Sequence, residues 1–431
     1  MFKSSAFNFY YMRSENENII FNTFSKALIS LDDEHAKALK ENNLAETFTE
    51  EEITLLVDNG IIVDEHFNEN EFLKYYNNKV RFAADYLCIT IAPTLSCNFD
   101  CPYCFENKRK GVMTQEVQDG IVGFIEDRVK KGIKTIEISW YGGEPLLCFD
   151  IIKQLCASII KIADKYKAKC KMGMISNGYL LNEEVVEFLE KYNISLQVTL
   201  DGMAENHNKR RYLKGGGDTF YKIFDNLKLF VNRNVDVYVR MNVDNFNKDD
   251  YATLSDTIDR LNNPRMILYP AVTEKINERI EERNNHYMNE ARYDDFIAIT
   301  RRNGLFKFKS TDLPISNDVS SVPDNRCYFC AAELDNSCVI DERGNVYKCW
   351  DEVGRDDYCF NIVEPDKINY DSLLRYMGDH TFNDSKCSNC VFLPLCFGGC
   401  KFHRYHLNRY ACAFSDESLI SYLEDMLLST T

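Results

Sequence analysis

The stretch YLCITIAPTLSCNFDCPYCFE, Tyr86 to Glu106, joins an apolar run to three closely spaced cysteines. Its first half is rich in β-branched and aromatic residues, which predicts a buried strand. The cysteines follow directly as C-x3-C-x2-C, at Cys97, Cys101 and Cys104. In α/β proteins, active sites lie in the loops that follow the carboxyl ends of the strands. The stretch therefore predicts both a fold class and the position of a site.

Three thiols in one loop allow disulfides, zinc, an iron–sulfur cluster or plain core packing. A structural zinc ion takes four ligands, and no fourth Cys or His lies nearby in the sequence. A redox C-x-x-C pair would use Cys101 and Cys104 and leave Cys97 without a role. Three thiolates suit a cubane cluster with one iron left open. This cluster is the interpretation that uses all three cysteines.

Beyond Tyr86, strand-like runs alternate with helical segments. Six runs have strand character: YLCITIAP, KTIEISWYGG, KCKMGMISNG, ISLQVTLDG, VDVYVRMNV and RMILYPAV. Between them, segments such as TFYKIFDNLKLFVNR keep the i, i+3, i+4, i+7 spacing of an amphipathic helix. This alternation predicts an α/β fold with parallel strands and crossover helices, either a barrel or an open twisted sheet.

The flanking regions differ in character from this α/β region. Residues 1–85 read as a hairpin, with its turn near Asn22, followed by two or three short helices; they suggest a winged-helix-like module or a simple extension. Residues 86–310 hold the strands, and the polar stretch at about 274–325 reads as a bridge with a helix in it. Residues 326–431 are rich in cysteine and end in a short helix.

Composition excludes several classes of function. The net charge of −16 argues against nucleic acid as a partner, since phosphate binding needs a basic surface. No apolar run reaches the length of a membrane span, and no signal peptide is evident, so we expect a cytoplasmic protein with no membrane partner. In a reducing compartment, 17 cysteines point to metal or redox chemistry, and an odd number cannot all pair.

C-x3-C-x-aromatic-C resembles the signature of the radical S-adenosylmethionine (SAM) superfamily. YGGEP resembles its GGE motif, which implies contact with the methionine amino group of SAM; SNG resembles the segment near the ribose; and LDG with HNKRR resembles the run that brings an Arg close to SAM. Asn242 in RMNVDN matches a position of the same subgroup. The implied SAM-site residues are Tyr103, Gly142, Gly143, Glu144, Ser176, Asn177 and Arg211. The resemblance implies a partial (β/α)6 barrel, a SAM-binding [4Fe–4S] cluster and radical chemistry carried by the cofactor.

The C-terminal cysteines resemble a SPASM domain with two auxiliary [4Fe–4S] clusters, which makes three clusters in all. One auxiliary cluster would use Cys387, Cys390, Cys396 and Cys412. The other would use Cys330, Cys349 and Cys400, with Cys338 as the best fourth ligand and Cys327 or a substrate thiol as competitors. A pair of zinc ribbons is the alternative for this region, because C-x2-C is a common zinc element.

Other candidate residues carry less weight. Cys88, Cys148, Cys156, Cys170 and Cys359 lie in strand or helix patterns and are expected in the core. We assign no role to the histidines or to the acidic residues near the auxiliary cysteines, among them Glu333, Asp335, Asp341 and Asp351, so the catalytic base is left open.

Residues 1–85 resemble in size and order of elements the recognition element of ribosomal-peptide (RiPP) maturases, which adds a leader peptide as a strand to its hairpin edge. The resemblance implies a peptide maturase that abstracts hydrogen from a precursor peptide and forms a thioether at Cys. An external electron donor such as a flavodoxin or ferredoxin is then required. The alternatives are a sulfatase-type maturase that forms formylglycine, a carbon–carbon crosslinking maturase, and a zinc protein without catalysis.

Overall fold

The computed structural model describes residues 1–272, 296, 300, 327–378, 380–412 and 414–429. These residues form two compact units. The terminal unit contains residues 1–82, 327–335 and 377–429, and the sheet unit contains residues 83–272 and 336–376. The predicted bridge, including its helix, lies outside the described residues except for two positions. The division into three sequence domains stays a prediction.

The N-terminal part of the terminal unit is a small sheet followed by helices. Its elements are β1 (Phe2–Ser4), β2 (Asn8–Ser14), β3 (Glu17–Asn22), β4 (Leu28–Leu31), α1 (Asp33–Glu41), α2 (Leu44–Thr47), α3 (Glu50–Asp58), β5 (Ile62–Asp64) and α4 (Glu69–Arg81). The antiparallel sheet has the order β2-β3-β4, so the predicted hairpin is β3–β4 and β2 is an addition. Helix α3 begins with a capping box formed by Thr49 and Glu52, which satisfies two backbone groups of its first turn.

Six parallel strands form the centre of the sheet unit: β6 (Tyr86–Ile91), β7 (Thr135–Trp140), β8 (Lys169–Ser176), β9 (Ile194–Thr199), β10 (Val237–Val243) and β11 (Met266–Val272). Helices follow five of them: α5 (Gln115–Lys130), α6 (Phe149–Tyr166), α7 (Glu183–Lys191), α8 (Ala204–Arg210), α9 (Phe220–Leu227) and α10 (Tyr251–Asp259). The six strands are paired in chain order, which confirms the predicted α/β fold with a mostly parallel sheet.

Each strand of this sheet has one strongly apolar face. In β10 the residues Val237, Val239, Met241 and Val243 are fully buried, while the alternate residues are half-buried. The buried set belongs to one large core that also contains apolar residues of the helices. Burial of each such side chain stabilises the fold by about 1.5–3 kcal/mol. The strands are therefore firmly fixed, and so are the points from which the following loops begin.

Part of the cysteine-rich region extends this same sheet. Strand β12 (Ser337–Ile340) pairs in parallel with β6, and β13 (Asn345–Tyr347) and β14 (Phe360–Asn361) continue the sheet to nine strands. Residue Ser337 lies opposite Cys88. The sequence pattern did not predict this extension, because the three strands are short and separated by turns. It places Cys338 beside the first strand of the sheet.

The rest of the cysteine-rich region consists of short helices. They are α11 (Tyr370–Met377), α12 (His380–Asn383), α13 (Ser385–Ser388), α14 (Leu393–Cys396), α15 (Lys401–His406) and α16 (Asp416–Ser429), the last being the predicted C-terminal helix. In the terminal unit, Leu419 and Leu423 of α16 share a core with Phe9 and Phe21 of the N-terminal sheet. In the described part of the chain, no helix has the length and apolarity that crossing a membrane requires.

Candidate functional site

The three N-terminal cysteines lie in the loop that follows β6. Cys101 is buried. The thiols of Cys97 and Cys104 lie close enough to the Cys101 thiol for a negative charge on it to raise the pKa of each. Burial raises the pKa of Cys97 to about 11 and that of Cys104 to about 12, while the nearby Lys108 opposes this shift. The thiols are therefore protonated without a metal, and binding one would release their protons.

These sulfur atoms do not converge on one point. Among the described residues, no three cysteine sulfurs lie within 4.8 Å of one another, as ligands of a single ion would. A cubane cluster instead binds each thiolate at a different iron. The arrangement of Cys97, Cys101 and Cys104 therefore fits a cluster better than a zinc ion.

The loop after β7 is pressed against the backbone that precedes Cys97. Gly143 N donates to Thr94 O at 3.1 Å, and Glu144 N donates to Ser96 O at 3.0 Å. A Cβ atom on Gly142 would lie 2.3 Å from Thr94 O, and one on Gly143 would lie 2.3 Å from Ser96 O. Glycine is required at both positions because a side chain would collide with backbone.

The carboxylate of Glu144 connects the ends of β7 and β8. It is fully buried and accepts hydrogen bonds from Leu146 N at 3.1 Å, Ser176 Oγ at 2.9 Å and Asn177 N at 2.7 Å. Burial raises the pKa of Glu144, and these three donors oppose the shift. A carboxylate has about four lone-pair positions, so most of its acceptor capacity is used within the chain. Its first task is therefore to hold two predicted site segments together.

Tyr103 connects the cysteine loop to the ends of β9 and β10. Its hydroxyl donates to the buried Asp201, and Arg211 Nη1 donates to the Tyr103 oxygen at 2.7 Å. Asp201 also accepts from the backbone N of Asn242 at 3.0 Å. Asp201 belongs to the LDG motif but was not singled out from the sequence. Its position two residues after the end of β9, shortly before the two arginines of the HNKRR run, was the available signal.

The charges around Asp201 are balanced. Arg210 pairs with the buried Asp244, and its Nε lies 3.7 Å from an Asp201 oxygen. His207 Nδ1 accepts from Asp201 N at 3.1 Å. Burial lowers the pKa of His207 to about 3, and Arg211 adds to this effect. His207 is thus a neutral structural group near physiological pH.

Several buried polar atoms near this site lack hydrogen-bond partners. They are Nδ2 of Asn98, Nε of Arg211 and both carboxylate oxygens of Glu106, although the Tyr141 hydroxyl lies near Glu106. Leaving such a group unsatisfied costs about 1–3 kcal/mol. A polar ligand bearing both donors and acceptors would satisfy them. The residues present therefore fit a molecule such as SAM.

A second group of thiols lies in the terminal unit. The thiols of Cys387, Cys390 and Cys412 lie close to that of Cys396 and add to the burial that raises its pKa to about 12. The four cysteines expected to hold one auxiliary cluster are thus brought together. The assignment of a cluster to these four cysteines stays a prediction.

The other predicted auxiliary ligands are divided between the units. Cys330 and Cys400 interact within the terminal unit, where burial raises the pKa of Cys330. Cys338 and Cys349 belong to the sheet unit. Cys327 lies in an apolar cluster of the terminal unit. The ligand set of this cluster stays a prediction, with the fourth position open.

Two cysteines expected in the core lie close to a predicted ligand. The thiols of Cys88 and Cys359 are both influenced by that of Cys338, and burial raises the pKa of each to about 12. Cys148 and Cys156 are buried, and Cys170 is half-buried against the main core, as expected. Proximity to Cys338 was not evident from the sequence, because strand β12 had not been predicted.

Comparison with known proteins matches the segment of the chain that contains this site. Residues 91–261, from the end of β6 to just after α10, match the model of the Radical SAM superfamily. The matched segment includes the three-cysteine loop and the GGE, SNG and LDG segments. The chain is therefore an enzyme with a radical SAM domain over residues 91–261.

Two curated relatives and two solved structures show the wider similarity. The radical SAM cyclopropyl synthase TigE of Paramaledivibacter caminithermalis is 22% identical and is matched over 90% of this chain and 87% of its own length. The cysteine-type anaerobic sulfatase-maturating enzyme of Clostridium novyi is 26% identical, over 73% of this chain and 88% of its own. Streptococcus suis SuiB bound to precursor peptide SuiA has a TM-score of 0.52 at 18% identity, over 97% of this chain and 99% of that one. Native anSMEcpe with bound AdoMet and Cp18Cys peptide has a TM-score of 0.57 at 20% identity, over 80% and 98%.

Proposed function

We propose that this enzyme is a peptide maturase that abstracts hydrogen from a ribosomally made precursor peptide and forms a thioether at a Cys of that peptide. The single observation that carries the proposal is the N-terminal three-stranded sheet, which retains one edge suited to strand addition. Streptococcus suis SuiB, whose structure holds a precursor peptide, resembles this chain over its full length. The proposal takes the N-terminal residues as the leader-binding element.

The two edges of that sheet differ. The outer strand β2 is flanked by α16, because Tyr11 donates to Glu424 at 2.5 Å and Arg13 lies 3.2 Å from the same carboxylate. Both outer strands, β2 and β4, pair with β3 alone among the described strands, and the polar contacts with α16 named above are made by β2. An unpaired edge is a template for a further strand. We therefore assign the leader to the β4 edge.

The cofactor groups would be held by residues already described. Cys97, Cys101 and Cys104 would hold the SAM-binding cluster, and Tyr103 and Arg211 with the GGE and SNG segments would surround SAM. When bound, these groups supply a 5′-deoxyadenosyl radical that abstracts hydrogen. The chain orients them through Glu144 and Asp201, which lock four loop segments to one another.

Two auxiliary [4Fe–4S] clusters in the cysteine-rich region complete the proposal. A cluster that accepts a substrate thiolate or an electron suits oxidative bond formation at Cys. An external donor, a flavodoxin or ferredoxin by class, would supply the electron that the SAM-binding cluster needs. Such clusters need reducing surroundings, so we place the enzyme in the cytoplasm.

Two other products have specific support. Similarity to a sulfatase-maturating enzyme over 88% of that enzyme's length favours formylglycine. Similarity to a cyclopropyl synthase over 90% of this chain favours carbon–carbon bond formation. The N-terminal sheet favours a peptide substrate in either case. Identifying the product distinguishes the thioether, formylglycine and carbon–carbon alternatives.

The test is anaerobic incubation of the reduced enzyme with SAM and a Cys-bearing precursor peptide encoded beside its gene. A thioether gives a loss of two hydrogens and a Cys that no longer reacts with iodoacetamide. A carbon–carbon bond gives the same mass loss but leaves the thiol reactive, and formylglycine reacts with a hydrazide. An unmodified peptide in the presence of SAM cleavage would contradict the maturase proposal for that precursor.

A further inference from the structure

An arginine side chain reaches one of the predicted cluster ligands in the terminal unit. Arg404 lies on α15, and its Nη2 donates to Cys387 Sγ at 2.9 Å. Burial raises the pKa of the Cys387 thiol, and the arginine opposes that shift. A guanidinium stays charged at every physiological pH, so this contact places a permanent positive charge beside the Cys387 sulfur.

The arginine is held in this position by its surroundings. Asp384 caps α13 by accepting from the backbone N atoms of Lys386 and Cys387, both at 3.0 Å. It also accepts from the Tyr410 hydroxyl at 2.7 Å and lies 3.9 Å from Arg404 Nη1. The guanidinium in addition lies over the Tyr410 ring, 4.9 Å from its centre. The same carboxylate therefore orients both the ligand cysteine and the cation beside it.

A neighbouring cation behaves differently. Lys401, at the start of α15, is buried, and its ammonium group donates to Thr381 and to Phe397 O. It also lies 3.9 Å from the buried Glu333, which balances its charge. Arg404, by contrast, donates its hydrogen bond to a cysteine sulfur. This contact is what distinguishes it.

We propose that Arg404 raises the reduction potential of the auxiliary cluster held by Cys387, Cys390, Cys396 and Cys412. The inference rests on the proposed presence of that cluster. Adding an electron makes a cluster more negative, and a nearby positive charge that donates to a ligand sulfur stabilises the reduced form. Arg404 thus makes this cluster an electron acceptor. Arg404 acts through Cys387, beside which it places a positive charge. It is therefore a positioning residue and not a catalytic residue.

The test uses the full chain, purified anaerobically, with EPR-monitored redox titration and iron and sulfide analysis. The variant Cys390→Ala identifies the signal of this cluster as the one that it loses. In Arg404→Gln that signal should reach half-reduction at a more negative potential, with reduction at least tenfold less favourable, which is about 59 mV for one electron. Arg404→Lys should keep part of the effect. The exposed Arg409, changed to Gln, is the matched control and should not move the potential.

The outcomes are distinguishable. If the wild type contains iron for the SAM-binding cluster alone, the proposed auxiliary cluster is wrong, whatever Arg404 does. If the cluster is present and its potential is the same in wild type and Arg404→Gln, the role of Arg404 is refuted. If Arg404→Gln loses the cluster, the reduction potential of the cluster in Arg404→Lys decides whether Arg404 affects that potential. Loss of the cluster in both variants would show that Arg404 serves assembly and not potential.

Discussion

Replacing Gly143 by alanine tests whether the loop after β7 fixes the cysteine loop. A Cβ at this position would lie 2.3 Å from Ser96 O, 2.6 Å from Ser96 C and 2.7 Å from Leu95 O. All three are backbone atoms, so no side chain can rotate away. Gly143 itself does not have a positive φ, and therefore the effect is a pure collision and not a backbone preference.

The size of the effect follows from these distances. Ordinary van der Waals contact begins at 3.4 Å, so the backbone beside Cys97 must move by about 1 Å. Forcing an extra methyl group into a packed site costs about 1–3 kcal/mol of stability. A misplacement of about 1 Å in a catalytic constellation costs about 100-fold in rate. We expect Gly143→Ala to fold and to lose about two orders of magnitude in SAM cleavage.

The assay measures 5′-deoxyadenosine formed anaerobically after reduction with dithionite, together with iron content and the midpoint of denaturant unfolding. The matched control is Gly123→Ala on α5, where a Cβ would meet nothing within 4 Å. Alanine at that helix position should stabilise the protein by about 0.5–1 kcal/mol and leave SAM cleavage unchanged. Wild-type SAM cleavage by Gly143→Ala would refute the reasoning.

Three further predictions concern stability and cluster content. Arg109→Gln removes the cation that contacts two buried carboxylates at 2.6 Å each, and should lower the free energy of unfolding by about 3 kcal/mol in denaturant titrations; a change below about 1 kcal/mol would contradict this. Gly399→Ala would place a Cβ 1.9 Å from Ala411 O, beside a predicted ligand, and should cost about a third of the bound iron; unchanged iron would count against that ligand set. Because His207 has a pKa of about 3 when folded and about 6.5 when unfolded, the unfolded state binds the extra proton as pH falls below 6.5. Stability is therefore full above pH 6.5 and declines below it by about 1.4 kcal/mol per pH unit, and His207→Gln should flatten this decline between pH 7 and 5.

The central sheet and the positions of the predicted site segments at its strand ends were predictable, because both depend on local patterns. Each strand shows as an apolar run, and each motif directly follows a strand. In a parallel sheet the carboxyl ends of the strands meet at one edge, so motif order alone brings Cys97, Gly143, Asn177 and Asp201 together. The hydrogen bonds between Glu144 and the next strand's loop are the result of that topology.

Other parts of the structure were not predictable for equally physical reasons. Strand β12 has four residues, all buried, and its partner strand lies about 250 residues earlier in the chain. A short buried run carries no periodicity that separates strand from helix. The contact of Arg404 with Cys387 depends on how α13 and α15 pack, and spacing along the chain does not encode it. The spacing of the cysteines along the chain predicted which of them are ligands, but it did not predict which charged side chains contact them.

Those local charges matter more than the net charge of the protein. A [4Fe–4S] cluster with thiolate ligands is negatively charged, and the whole chain carries −16. Exposed charges are screened within about 10 Å at ordinary ionic strength, whereas buried contacts are screened much less. Burial raises the pKa of the cysteine-loop thiols, of Cys338 and of Cys387, and in each case a nearby cation opposes it: Lys108, Lys348 and Arg404 respectively. A net acidic charge is therefore compatible with anionic clusters at these thiols, because the cation beside each thiol acts locally, whereas distant exposed charges are screened.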